Sequence, residues 1–142
     1  MRLREATLAD ADALARLMDG LGYPTSGEAM RRRLSAIGAH PDYHTLVAEV
    51  EGQVVGIVGL RRALSYEKNG TYVQILVLAV DESRRGVGIG TSLIREVEAW
   101  ARSQGAAALL VNSGAHRGAA HRFYGRMGFR PTGLRFVKRL TS

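Results

Sequence analysis

A chain of 142 residues, 46% hydrophobic and 23% charged, has room for one packed domain and is too apolar for disorder. It has no cysteine, which excludes disulfides, thiolate metal sites and a cysteine nucleophile. Its formal charge of +7 admits nucleic acid, an acidic membrane surface or a phosphorylated ligand, but the arginines fall in short groups that read mostly as solvated surface.

Met1 leads directly into Arg2-Leu3-Arg4-Glu5 without a signal-peptide pattern, and no apolar run is long enough to cross a bilayer. A cytoplasmic protein is expected. Leu3 to Ala6 reads as a first strand. Thr7 followed by Asp10 is an acidic variant of the capping box, and Leu14, Leu17, Met18 and Leu21 form the apolar stripe of a first helix. Gly22-Tyr23-Pro24 breaks it, and a second helix is predicted from about Ser26 to Ile37, burying Met30, Leu34 and Ile37.

From Thr45 the pattern turns to strands. Thr45–Val50 and Val54–Leu60 flank Glu51-Gly52-Gln53, the mark of an antiparallel hairpin. Tyr72 to Val80 is nearly all β-formers and is expected to be a central strand buried on both faces. A helix carrying Ile89, Leu93, Val97 and Trp100 on one face ends at Gln104-Gly105. Ala107 to Val111 is a further strand, Ala120, Phe123, Tyr124 and Met127 mark a last helix stopping at Gly128, and Leu134 to Leu140 is expected as a closing strand. The fold class is α+β.

Between the central strand and its helix lies Arg84-Arg85-Gly86-Val87-Gly88-Ile89-Gly90. Glycine tolerates positive φ and close approach of a ligand, and the first N–H groups of a helix lack intrahelical acceptors at the positive end of its dipole. The combination suits a phosphate or diphosphate, with Arg84 and Arg85 adding charge at the rim. A Walker loop is excluded, because no Gly-Lys-Ser/Thr follows. A dinucleotide fingerprint is poor, because the spacing is Gly-x-Gly-x-Gly and Leu109-Leu110-Val111 stands where an acidic residue is needed.

With Arg85 to Gly90 matching Arg/Gln-x-x-Gly-x-Gly/Ala, the sequence resembles the GNAT superfamily of N-acetyltransferases. Ala120-His121-Arg122-Phe123-Tyr124-Gly125-Arg126-Met127-Gly128-Phe129 is similar to a second family feature, as is the opening Leu3 to Asp10. The resemblance spans almost the entire chain in the family's order. It implies one domain over residues 1–142, with a mostly antiparallel sheet of six to seven strands splayed at the central strand, and about four helices. It implies acetyl-CoA as cosubstrate and no metal. The backbone of Leu78 and Val80 would pair with the pantetheine arm, and the N–H groups of Arg85, Gly86, Val87, Gly88, Ile89 and Gly90 would hold the diphosphate. A main-chain N–H near Leu78 or Ala79 would polarise the thioester carbonyl.

Transfer to a primary amine of a small molecule or peptide is expected to be direct. Tyr124 is the candidate general acid for the leaving thiolate; a phenol of pKa about 10 is matched closely enough to a thiol of about 8.5 for concerted protonation. A lysine-like amine costs roughly 4–5 kcal/mol to deprotonate at neutral pH. Gln74 stands where some relatives place a glutamate base, and Glu67, His44 or a water on Gln74 and Tyr72 are its stand-ins. Arg117 replaces a usual asparagine and is assigned to a coenzyme A phosphate, with Asn112 supplying the missing amide. His116 and His121 read as surface or capping residues. Glu28, Asp42 and Glu67 are candidates to attract a cationic acceptor.

Two other functions compete. Gln74 is compatible with a non-catalytic acyl-CoA sensor, and the net charge with a nucleic-acid module, although no recognition motif and few aromatic residues support the latter. No nucleic acid or membrane partner is expected, and a homodimer is compatible with the reading.

Overall fold

The computed structural model describes residues 1–112 and 118–141; His116 and Arg117, singled out above, lie outside them. Two compact units, Met1–Leu110 and Val111–Ser142, are described in turn.

In the first unit, strand β1 (Arg2–Glu5) runs antiparallel to β2 (Tyr43–Val50), with Arg4 opposite Val47. Thr7 then opens a short 3-10 turn, its N–H donating to Asp10 Oδ2 at 2.8 Å, as the capping box requires. Helix α1 (Ala11–Gly20) follows directly and buries Ala11, Leu14, Ala15 and Leu17, while Met18 and Leu21 pack at the margin of the same core. Helix α2 (Gly27–Gly38) is capped by Ser26, whose Oγ accepts from the Ala29 N–H at 3.0 Å. Met30 and Leu34 bring it into the core.

Strands β2 (Tyr43–Val50) and β3 (Gln53–Leu64) are joined by Glu51 and Gly52, both at positive φ (52° and 77°), the geometry of a two-residue hairpin turn. Strand β3 continues four residues past Leu60, so Arg61 and Arg62 belong to the strand. Strand β4 (Thr71–Val80) pairs antiparallel with β3, helix α3 (Ile89–Ser103) follows it, and β5 (Ala106–Val111) lies beside β4. The sheet order is β1-β2-β3-β4-β5.

Strand β4 departs from simple alternation. Gly59 stands opposite Val77 and the next residue, Leu60, opposite Ile75, so Leu76 is an unpaired bulge residue and 47% exposed. The expectation that β4 is buried on both faces throughout fails there. Directly opposed residues share a face, and the extra residue exchanges the faces of the strand's two halves. Val77 and Ala79 join Val47 and Ile57 in the core under α1 and α2. Leu78 and Val80 oppose Val58 and Gly56; a Cβ on Gly56 would lie 3.1 Å from Ile89 and 3.2 Å from Leu93, so this face carries α3. Before the bulge, Val73 and Ile75 are buried beside Leu60 on the α3 side, whereas Gln74 turns with Arg61 to the α1–α2 side. Leu93, Ile94 and Val97 are fully buried. Burial of each such side chain contributes about 1.5–3 kcal/mol.

In the second unit, helix α4 (Gly118–Arg126) is followed by a turn through Gly128, whose φ is 91°. The strand expected over Leu134–Leu140 is absent, and the sheet has five strands rather than six to seven. The pattern there is apolar enough for a strand, but a strand also needs a partner for its N–H and C=O groups. No such pairing is made among the described residues, and Leu134, Phe136, Val137 and Leu140 are all exposed.

Candidate active site

The junction between β4 and α3 is built as an open cradle of N–H groups. Strand β4 is tied off where the Asp81 N–H donates to the Val55 carbonyl at 2.8 Å. The Asp81 carboxylate accepts from the Ser83 hydroxyl at 2.7 Å and the Ser83 N–H at 2.9 Å, which holds its carboxyl below the usual carboxylate range. This fixes the 3-10 turn Glu82–Arg84. Arg85 is extended, Gly86 has φ 83° and Gly88 φ 89°, and α3 begins at Ile89. A Cβ built on Gly86 or Gly88 meets nothing within 4 Å. Their conformation, not crowding, is what requires glycine there.

The Ser92 N–H donates to the Gly88 carbonyl at 3.0 Å, opening the helical ladder. Among the described residues, no N–H from Gly86 to Thr91 donates in a turn or loop. The turn is accessible: Arg85 to Gly88 are exposed, Val87 by 72%, whereas Ile89 is buried as the anchor of α3. Exposed N–H groups at a helix start, with Arg84 and Arg85 beside them, can hold a diphosphate without displacing any internal bond. Arg85 Nε reaches back to the Val80 carbonyl at 3.4 Å. A carbonyl oxygen has a second lone pair, so Val80 can still accept from a ligand. Ala79 is buried in the α1–α2 core, leaving only its main chain for chemistry, while Leu78 and Val80 are half-buried.

The α1–α2 face of the sheet carries the polar residues of a candidate acceptor region. Tyr43, Arg61 and Gln74 form one row across β2, β3 and β4. Arg61 Nη2 donates to Gln74 Oε1 at 3.1 Å. Tyr72 is on the same face, two residues along. His44 is not with them: it pairs with Leu60 on the opposite face, where its ring stacks on Trp100 at 4.9 Å and Nδ1 lies 3.4 Å from Glu5. Glu67 lies in the exposed β3–β4 loop, its N–H bonded to Ser65 Oγ. Glu28 and Asp42 are paired with Arg32 at 2.8 Å and Arg62 at 3.0 Å, so neither is a free carboxylate awaiting an amine. Sequence reasoning placed Arg61 among surface arginines. Its strand parity, two residues beyond Gly59, was the signal that it shares a face with the core.

In the second unit Tyr124 is half-buried, with ring centroids 5.5 Å from both Phe123 and Phe129 in edge contacts. The Phe129 N–H donates to the Tyr124 carbonyl at 2.9 Å, which holds the aromatic group together past the helix end. Asn112 is exposed at the end of β5. Among the described residues no three His, Cys, Asp or Glu side chains gather as a metal site, and no helix is long and apolar enough to cross a membrane.

The strand, the glycine turn and the helix start form a junction able to take a phosphorylated ligand. The chain belongs to the acetyltransferase (GNAT) family, whose model matches residues 11–129, and is an acetyl-CoA-dependent N-acetyltransferase. It is 32% identical over 139 residues to an aminoalkylphosphonate N-acetyltransferase of Salmonella typhimurium, covering 97% of this chain and 90% of that protein. An N-acetylaspartate synthetase of Homo sapiens is 38% identical over 87 residues, which span 61% of this chain but only 28% of that protein. A crystal structure of a GNAT family acetyltransferase of Staphylococcus aureus superposes with a TM-score of 0.84 at 29% identity, covering 98% of each chain. These relatives are described as acetyltransferases or by an acetylated product, which gives the non-catalytic sensor no support.

Proposed function

We propose that this enzyme acetylates the primary amine of a small molecule by direct attack on the thioester in a ternary complex, and that residues 1–142 work as one catalytic domain. The observation that carries the reading is the exposed turn Gly86–Gly88, whose N–H groups donate to no other backbone group among the described residues, immediately before α3. In this reading they hold the coenzyme A diphosphate, with Arg85 beside them. The main chain of Leu78 and Val80 aligns the pantetheine arm along β4, and the N–H of Leu78 or Ala79 stabilises charge on the thioester oxygen. Asn112 and Arg117 serve the pantetheine and a phosphate.

The amine nitrogen bonds to the acetyl carbon, the carbon–sulfur bond breaks, and Tyr124 gives its proton to the departing thiolate; the nitrogen's surplus proton passes to water, and Tyr124 regains one from solvent. No acyl-cysteine intermediate is available, because the chain has no cysteine. The relatives named for aminoalkylphosphonate and N-acetylaspartate favour a small acceptor over a protein tail.

The test is release of free coenzyme A thiol from acetyl-CoA by the purified protein across a panel of amines, with the product identified by mass spectrometry. Amine-dependent thiol release with an acetylated amine is expected. Tight acetyl-CoA binding without turnover on any amine would overturn the catalytic reading.

A further inference from the structure

Arg61 is a half-buried cation with no counter-charge among the described residues. Its Nη2 is bonded to the neutral amide of Gln74, and it forms no ion pair among the described residues. Its Nε is the buried side-chain polar atom among them with no hydrogen-bond partner. Its neighbour Arg62 is satisfied on both sides, by Asp42 and Gln104 at 3.0 Å each. The contrast within one dipeptide is what needs a cause, since a buried donor left unmade is costly and a guanidinium is built to grip an oxyanion with two parallel N–H groups.

We propose that Arg61, seated on Gln74, binds an anionic group of the acceptor, so that the preferred substrates are small amines carrying a carboxylate or phosphonate a short spacer away from the nitrogen. This rests on the acetyl-transfer reading above. Arg61 and Gln74 lie on the α1–α2 face, in one row with Tyr43. Gln74 is four residues before Leu78, roughly 10–13 Å along the strand, and in this proposal the Arg61 side chain makes up part of that span, which leaves a short spacer between anion and amine.

The same geometry accounts for the amide at position 74. With its oxygen taken by Arg61, Gln74 keeps its NH₂ donors for the same anion. A glutamate there would pair with Arg61, cancel the charge and repel the acceptor's acid. Gln74 thus keeps the row positively charged, and its role is recognition in place of proton removal.

The experiment compares kcat/KM for aminoethylphosphonate, β-alanine and n-propylamine in the unsubstituted protein and in Arg61→Gln, Arg61→Lys and Gln74→Glu, with acetyl-CoA affinity measured in parallel. The unsubstituted protein is expected to favour the acid-bearing amines, and Arg61→Gln and Gln74→Glu to lower that preference roughly 10- to 100-fold, mostly through KM. Arg61→Lys should recover part of it, and acetyl-CoA affinity should hold. The phosphonate and carboxylate arms distinguish the two acids. Ethylphosphonate and propionate, lacking the amine, should inhibit the unsubstituted protein competitively against acceptor and not against acetyl-CoA, a readout that requires no variant to fold. Equal use of n-propylamine and the acid-bearing amines, an unchanged preference in Arg61→Gln, or no inhibition by either anion would overturn the proposal while leaving acetyl transfer intact. Absence of turnover on every amine would instead remove the reading on which it rests.

Discussion

Arg4 meets Asp10 fork to fork, Nη1 to Oδ2 and Nη2 to Oδ1, each at 2.9 Å. Asp10 is the buried charged residue of the described core, and its Oδ2 also accepts the Thr7 N–H, so one carboxylate ties β1 to the start of α1. The Arg4 hydrogen bonds, with help from Thr7, hold the Asp10 carboxyl below its ordinary value of 3.8.

Asp10→Asn is expected to cost about 2–3 kcal/mol, toward the low end for breaking a buried pair because Arg4 retains Glu49 and some solvent. Since the folded-state pKa of Asp10 is depressed, its contribution is fully present above the ordinary carboxylate range and is lost as pH falls through the folded value. Urea unfolding at neutral pH should therefore separate the two proteins clearly, and the gap should close in strong acid. A gap independent of pH would contradict the ion-pair account.

Gly88→Ala places a side chain on a backbone at φ 89° in otherwise open space. The expected cost is about 1–2 kcal/mol of stability, with at least a tenfold loss of acetyl-CoA affinity as the N–H cradle shifts. Gly20→Ala is the control: it is helical and equally open, and should stabilise by about 0.5–1 kcal/mol. Urea unfolding reads the two stabilities, and calorimetric titration with acetyl-CoA reads the affinity. Retained affinity in Gly88→Ala would mean that the turn does not hold the diphosphate.

Tyr124→Phe keeps the edge contacts to Phe123 and Phe129 and removes only the hydroxyl. If that hydroxyl protonates the thiolate, kcat should fall roughly 100- to 10,000-fold with acetyl-CoA affinity unchanged. Steady-state kinetics beside direct binding separates this from a packing defect, which would lower affinity and melting temperature together.

With an amide at position 74, no side-chain base stands in the Arg61 row. The neutral fraction of the acceptor then sets the rate, and kcat/KM should rise about tenfold per pH unit until the amine's own pKa is reached. Two acceptors differing in amine pKa should show profiles displaced by that difference. A shared inflection near neutrality would instead reveal an enzyme base.

Much of the fold was legible from local chemistry. The Thr7–Asp10 box, the Glu51-Gly52 turn and the Gly86–Gly90 junction are short-range features whose geometry follows from the residues within them. The bulge at Leu76 was not, because Ile75 to Val80 is a continuous apolar run with no polar residue to mark where the parity changes. The strand expected at Leu134 failed for the complementary reason: periodicity reports a strand's own preference and says nothing of whether a ladder awaits it. At the site, the glycine turn was visible, since positive φ leaves a compositional trace. The Arg61–Gln74 pair joins residues 13 positions apart, and only the register of β3 against β4 brings them together.

The inserted residue at Leu76 makes β4 a crossed wire. Gln74 and Leu78, an even number of positions apart, face opposite sides of the sheet, so the stretch proposed to select the acceptor and the stretch that seats α3 can vary independently. Drift toward a new amine can therefore rewrite positions 72 and 74 without disturbing the floor beneath α3, whereas loss of a single residue at 76 would exchange the two roles at once.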